Sequence, residues 1–524
     1  MARTVRSRAR RRQGALALVA FALCLGPAPA LAGAWDDAMD AARAAFRAGR
    51  LEEAERQLRA AEREVTSVTP DALKQAQTLD SLARVYRARA LYPQARQAAA
   101  EAFKILQALA HPAIVSPALL LGDLLMVDAR IEEARRLFLE VVRVLEQMPQ
   151  ARLELAQALE SLARTYSVQG RWADVEPLLT RARGLAEPAS PILPHILESL
   201  AAAYRALDRE ADADVLLRRA LALSEAEFGV DHPATARSLM LLGGLALDRA
   251  EFADAEALYR RALAIDEKVF GPDHPEIASV VAALASVESN RGHYAAAERL
   301  QRRALDIRTR KLGSEHPEVA GSMQSLGYLR LHQRQYLEAD ALVQGALVIV
   351  EKKLEPESFG VASALNMLAN VRLRQKRYAE GETLSARSLA IREKLGGSSG
   401  PAMAAALDTH AELLTGLRRY AEAETYATRA LALVERRRGA SHPRVAIVLT
   451  TLATAYRDWG RYADAEPLYT RALEIREKAL GPDHPLLAET LEAQAVLLRK
   501  TDREADAEKV EARVRTIRAT IGTR

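Results

Sequence analysis

The chain has 524 residues, with 74 Lys+Arg, 69 Asp+Glu, one cysteine and a formal net charge of +5. A hydrophobic content of 49% beside 27% charged residues excludes bulk disorder, and 5% aromatics is low for a β-rich protein. The length exceeds what a single hydrophobic core serves, so several domains or a repeat array is required.

Residues 1–34 hold six arginines (Arg3, Arg6, Arg8, Arg10, Arg11, Arg12), no lysine and no acid. Setting those six aside from the 74 bases leaves 68 against 69 acids, so the basic excess belongs to the N-terminus. A 13-residue apolar run follows from Gly14 to Gly26, then Pro27 and Pro29, then the small-residue sites Ala30-Leu31-Ala32 and Ala32-Gly33-Ala34. This order is that of a secretory signal peptide over 1–34. The run is short for a bilayer span of roughly 20 residues, and the prolines disfavour an uncleaved anchor. Leu23 before Cys24 is too bulky for a lipidation signal. Cleavage leaves a mature chain with no cysteine, hence no disulfide and no thiolate metal site.

A 42-residue period fills the remainder. One slot is held by Glu210, Phe252, Tyr294, Tyr336, Tyr378, Tyr420, Tyr462 and Glu504, with looser copies at Leu51, Tyr92, Ile131 and Trp172. About twelve units result: divergent ones over 35–190, regular ones over 191–485, and a last unit with a cap over 486–524. Each reads as two helices. In Val445–Trp459 the apolar residues Val445, Val448, Leu449, Leu452, Ala455 and Tyr456 follow helical spacing. Gly460-Arg461 makes the turn, and a second helix runs over about Tyr462–Leu480 with Ala465, Leu468, Tyr469, Ala472 and Ile475 inward. Gly229, Gly271, Gly313, Gly397, Gly439 and Gly481 share one register, where a left-handed residue would close the helix. His-Pro follows in five units, at His232, His274, His316, His442 and His484, placing histidine at the N-cap and proline in the first turn. The unit over 355–401 lacks both signals, and with Gly396–Gly400 it reads as a local hinge.

The unit LxxLAxxYxxxGRYxxAExLYxRALxIxEKxLGxDHP resembles the tetratricopeptide repeat in its long form, as in kinesin light chains. The resemblance is strong over 195–520 and weaker over 35–190. It implies an all-α solenoid superhelix of about twelve helix-turn-helix repeats, in which stacked pairs bury a continuous core. It also implies that first helices line a concave face for a protein or peptide partner. The positions 15, 12, 8 and 5 before the repeat tyrosine would point into that groove. They include Asp80, Arg84, Arg87, Glu160, Arg164, Glu198, Arg205, Ser286, Ser289, Gln324, Tyr328, Asn366, Asn370, Asp408, Glu412, Thr450, Thr454 and Arg457. Only Leu365–Ala369 keeps one asparagine of the kinesin-type Asn-Asn pair, so the architecture carries over and the cargo preference does not.

Other chemistry is poorly supported. Gly396–Gly400 fits G-x-S-x-G around Ser398, but no strand precedes it. The register histidines fall in different repeats, with no HExxH or cysteine partner, so no metal or cofactor is expected. His410 takes a leucine position and reads as a buried, hydrogen-bonded histidine. The arginine pairs at 218–219, 260–261 and 302–303 lie beside acids such as Glu256 and Glu298, and read as a mixed solvated surface. With a mature charge near zero, nucleic-acid binding is disfavoured. The reading is a non-enzymatic, exported bacterial scaffold, periplasmic or extracellular, that binds a protein or peptide. The alternatives are a self-associating or envelope-polysaccharide structural protein and, remotely, a hydrolase using Ser398 and His410. N-terminal sequencing of the exported chain is expected to begin just after one of the two small-residue sites; a chain still starting at Met1 would refute cleavage.

Overall fold

The computed structural model describes residues 33–522 except 48–49, 69, 90, 128–129, 189, 208 and 396–400. The expected signal with Cys24, and the loop carrying Ser398 and Gly397, lie outside the described residues. Among those described there are 24 α-helices in twelve consecutive pairs and no strand. The pairs are α1 (Ala34–Arg47) with α2 (Leu51–Arg63), α3 (Ala72–Ala88) with α4 (Tyr92–Ala108), α5 (Val115–Val127) with α6 (Ile131–Glu146), α7 (Arg152–Val168) with α8 (Trp172–Ala186), and α9 (Leu193–Ala206) with α10 (Glu210–Phe228). Then follow α11 (Pro233–Asp248) with α12 (Phe252–Phe270), α13 (Pro275–Asn290) with α14 (Tyr294–Leu312), α15 (Pro317–His332) with α16 (Tyr336–Lys353), and α17 (Phe359–Arg374) with α18 (Tyr378–Lys394). The last are α19 (Pro401–Gly416) with α20 (Tyr420–Arg438), α21 (Pro443–Trp459) with α22 (Tyr462–Leu480), and α23 (Pro485–Lys500) with α24 (Glu504–Gly522). The chain divides into two compact units, Met1–Ala203 and Tyr204–Arg524.

Small residues set the pairing distance. Ala213, Ala255, Ala297, Ala339, Ala423, Ala465 and Ala507 are all fully buried, one per second helix in the same register. Seven residues on, Ala220, Ala262, Ala304, Ala346, Ser388, Ala430 and Ala472 are fully buried too. Larger apolar side chains then fill the space between pairs, as in the cluster of Leu389, Met403, Leu407, Val434, Val445, Leu449 and Ile475. In the first unit Trp35 docks α1 onto α3, its Nε1 donating to Thr78 Oγ1 at 2.9 Å.

The junctions obey the period in detail. The turn inside each pair needs one residue at positive φ, held by Gly292 and Gly460 but also by Ala250, Arg334, Lys376, Arg418 and Asp502. Between pairs, Gly229, Gly271, Gly313, Gly439 and Gly481 have φ of 96, 82, 89, 80 and 88°. Their ψ values of 154 to 164° differ from the left-handed helical conformation expected. The chain there turns straight into an extended segment, a combination that only glycine tolerates. Five cap histidines then sit at the N-caps, each Nδ1 accepting the backbone N–H two residues on, as His442 does from Arg444 at 3.1 Å. His111 caps Pro112–Ile114 in the same way, a sixth His-Pro junction in the divergent region. Where histidine is missing, Ser358 caps α17 through Val361 N–H at 3.4 Å.

On the outer surface, second helices are linked by ion pairs 36 residues apart. These include Arg303–Glu267 at 2.7 Å, Arg387–Glu351 at 2.8 Å, Arg429–Glu393 at 2.9 Å and Arg471–Glu435 at 2.6 Å. The paired arginines are thus neutralised, as Arg302 is by Glu298 at 2.8 Å. Each exposed pair contributes only about 0–1 kcal/mol.

The second unit also closes on itself. His442 Nε2 donates to Asp248 O at 2.9 Å, and His484 Nε2 to Asn290 O at 3.0 Å, each across 194 residues. Arg438 adds bonds to Asp248 O at 2.7 Å and to the carboxylates of Asp248 and Glu210. Arg437 reaches Arg205 O, Arg334 lies 3.4 Å from Glu492, and Gly292 packs on Pro485. This seam joins residues 158 to 232 apart through polar contacts, each contributing a net of about 0.5–1.5 kcal/mol.

A buried carboxyl opposes the packing. Asp266 is 6% exposed at a register held by Val350 and Val434 in two other repeats and by Arg308, Arg392 and Arg476 in three. Burial, then Glu276, pushes its carboxyl up to about 7. A raised folded value means the cost is absent below the unfolded value near 4 and grows as pH rises through about 7. Asp266→Asn is therefore expected to be near neutral for stability at pH 4 and to stabilise by roughly 3 kcal/mol at pH 8. Urea midpoints at the two pH values check this.

Candidate functional site

The first helices of the second unit surround a cavity of about 930 Å³. In the first unit, the cavity beneath Phe46 and Arg84 measures about 10 Å³. The large cavity is built from residues of α11, α13, α15, α17, α19 and α21, closed by α20 and by the start of α23. Its polar wall includes Ser286, Ser289, Gln324, Tyr328, Asn366, Asn370, Asp408 and Glu412, all expected to face the groove. Met367, Val350, Val434 and Ile447 supply apolar wall between them.

The remaining expected residues are placed elsewhere. Thr454 Oγ1 bonds the Tyr469 hydroxyl at 2.9 Å, Thr450 Oγ1 lies 3.3 Å from Thr490 Oγ1, and Arg457 pairs with Asp458 at 2.8 Å and with Ala493 O. These three link helices instead of lining the cavity. Thr450 and Thr454 hold the same positions as Gln324 and Tyr328, but α21 reaches the cavity only over Pro443 to Val448. Arg457 sits five before the tyrosine, where Leu331, Leu373 and Thr415 are buried in helix packing. The position four before it turns inward and brings Asn290, His332 and Arg374 to the wall. Their shared polarity was the available signal. Arg205 pairs with Asp248 at 2.5 Å behind the seam. In the first unit, Arg164 and Arg87 share Asp123 at 2.7 and 3.6 Å, and Arg84 bonds Asp80 and Ser116. Buried Glu160 bonds Ser199 and, with buried Glu198, flanks His195 at 3.4 and 3.6 Å. These residues cross-link neighbouring first helices.

Arg444, Arg476 and Glu489 also line the cavity, with no signal for it in the chain. Arg476 is 3% exposed and donates to Leu486 O and Thr490 Oγ1. Glu489 keeps 51% of its side chain open to the cavity while protein surrounds it. Burial pushes its carboxyl up, but His332, Arg476 and Arg374 outweigh that and hold it at about 2. Asp408 goes the other way: burial and the Glu412 carboxylate push it up beyond what Arg374 and Arg476 offset. Arg374 in turn lies 3.2 Å from Glu412. His332 stacks on Tyr294 at 5.1 Å and meets Tyr328 edge-on at 4.5 Å. Buried polar atoms without a partner on lining residues include Asn366 Oδ1, Asp408 Oδ1, Arg438 Nε and Arg476 Nε. The wall therefore offers donors, acceptors, an aromatic face and both signs of charge within one enclosure.

His410 is the buried histidine expected, 4% exposed, with Nδ1 2.6 Å from Ser385 Oγ and its ring edge-on to Tyr426. No helix among the described residues is long and apolar enough to cross a membrane.

The sequence profile described as the tetratricopeptide repeat matches residues 193–268, 242–310, 318–394, 360–435, 403–478 and 460–520, more than half of the chain. Among curated proteins, none matches. Among solved structures, a Rap protein complexed with Competence and Sporulation Factor is similar with a TM-score of 0.53 at 15% identity, covering 70% of this chain and 99% of that one. BtubC (BKLC) from P. vanneervenii is similar at 21% identity and TM-score 0.33, covering 45% and 92%. A Podosopora anserina kinesin light chain with nearly identical TPR-like repeats stands at 23% and 0.32, covering 39% and 97%.

The two classes of polar residue predict different outcomes. Thr454→Ala and Arg457→Ala are expected to lower stability by about 0.5–1.5 kcal/mol each, whereas Asn370→Ala and Tyr328→Phe should leave it within about 0.5 kcal/mol. Denaturant midpoints of the four variants check this.

Proposed function

The chain belongs to the tetratricopeptide repeat family; on that premise we propose that it is an exported scaffold or adaptor that holds a segment of a protein partner in the cavity of the second unit. The observation that carries this reading is the inward face of four successive first helices, α13, α15, α17 and α19. At matching register it presents Ser286, Gln324, Tyr328, Asn366, Asn370 and Glu412 to one cavity. Repeats of this family form scaffolds suited to protein–protein interaction, and a polar inner wall with an aromatic anchor suits recognition of an extended segment. The Rap protein, an array of similar fold, was solved with its factor bound. Export is supported by the order of basic region, apolar run and small-residue sites at residues 1–34. The protein then works in the periplasm or outside the cell, without catalysis.

Cross-linked pull-down from envelope fractions identifies the partner. Replacing Asn366, Asn370, Tyr328 and Glu412 together by alanine is expected to reduce its capture at least tenfold while the helical content is unchanged. Equal capture by this variant would place the binding surface elsewhere.

A further inference from the structure

The bonds that close the second unit belong to the wall of its cavity. Asp248 and His442 both line it, and so does Asn290, whose carbonyl receives His484. A ligand inside therefore has the seam beside it, and opening the seam would widen the way in. The buried clusters of apolar residues in this unit each join neighbouring repeats, such as the one running from Ala236 to Val287. The seam is instead polar, apart from the packing of Gly292 on Pro485. It is the part of the enclosure that opens with least loss of buried apolar surface.

The enclosure limits what fits. A volume of about 930 Å³ is at the upper end of ligand pockets and holds roughly six or seven residues at the packing density of protein interiors. The side-chain amides of the wall narrow the chemistry. Gln324, Asn366 and Asn370 line the cavity with groups that both donate and accept. Backbone amides offer both in alternation, which a simple anion or an apolar ligand does not.

Resting on the peptide-binding reading above, we propose that the second unit encloses a short peptide whole, and that the His442–Asp248 and His484–Asn290 seam is the clasp that opens to admit it.

The test locks the clasp. Arg334 and Glu492 face each other across the seam at 3.4 Å and lie outside the wall of the large cavity. Both are replaced by cysteine in the full chain with Cys24→Ser, and joined with a short bismaleimide. The probe is a library of random hexapeptides with free ends, and peptides retained through gel filtration are read by mass spectrometry. The unlinked chain is expected to retain a defined subset. Linking before mixing should cut retention at least tenfold, and linking after mixing should hold the same subset through prolonged washing. Equal retention whichever order is used would overturn the clasp while leaving the binding reading intact. No retention by the unlinked chain would overturn both. A second variant needs no cross-link: Gly292→Asn keeps a residue that tolerates positive φ and wedges the Pro485 contact. It should release retained peptides several-fold faster, and an unchanged release rate would count against the clasp.

Discussion

The distance between the two helices of a repeat governs the rest of this structure. Buried small residues at two positions of each second helix from α10 to α22 permit a close approach. Because those positions recur with the period, each pair presents the same offset to the next. Close packing forfeits energy steeply when a methylene is added to such a site. Valine takes one of the two positions in α6, α8 and α24. Between α10 and α22 the register departs from alanine in α18, at Gly381 and Ser388, where small residues remain. The same repeat shows compensation at a third position. His410 stands where Leu368 and Leu452 stand elsewhere, and Ser385 opposite it leaves room for the ring and accepts or donates its hydrogen bond.

Much of this was legible in the chain because it is local and periodic. The helix pairs, the capping histidines and the neutralised arginine pairs all follow from residues within one or two repeats of each other. Eight of the groove residues read by analogy do face the cavity. What escaped was of two kinds. Arg457 was misplaced because a helix face is narrow: one residue of offset, about 100° of rotation, turns a lining position into a packing position. Thr450 and Thr454 hold lining positions on α21, a helix that meets the cavity only with its first turns. The seam was invisible for a different reason. It joins residues 194 apart, and that separation is set by how far each repeat rotates against the last, a small angle summed over more than four steps. No single repeat encodes it.

The clustering of charge also explains the unusual electrostatics of the inner wall. Arg374, Arg476, Glu412 and Glu489 line one cavity. They act on one another there, so one carboxyl is held at about 2 while Asp408 is driven up within the same cavity. Such a wall is prepared for a ligand that carries both signs or neither. It penalises one that brings a single unpaired charge.

An open solenoid can gain or lose a repeat and remain a solenoid of the same kind. Closure removes that freedom. The histidines at 442 and 484 meet carbonyls at 248 and 290 because a fixed amount of helical material lies between them. Duplicating or deleting one repeat in that interval would carry each histidine past its carbonyl. The number of repeats from α11 to α23 is thereby a specified quantity, as the circumference of a ring is, and insertions are confined to loops or to the ends of the array.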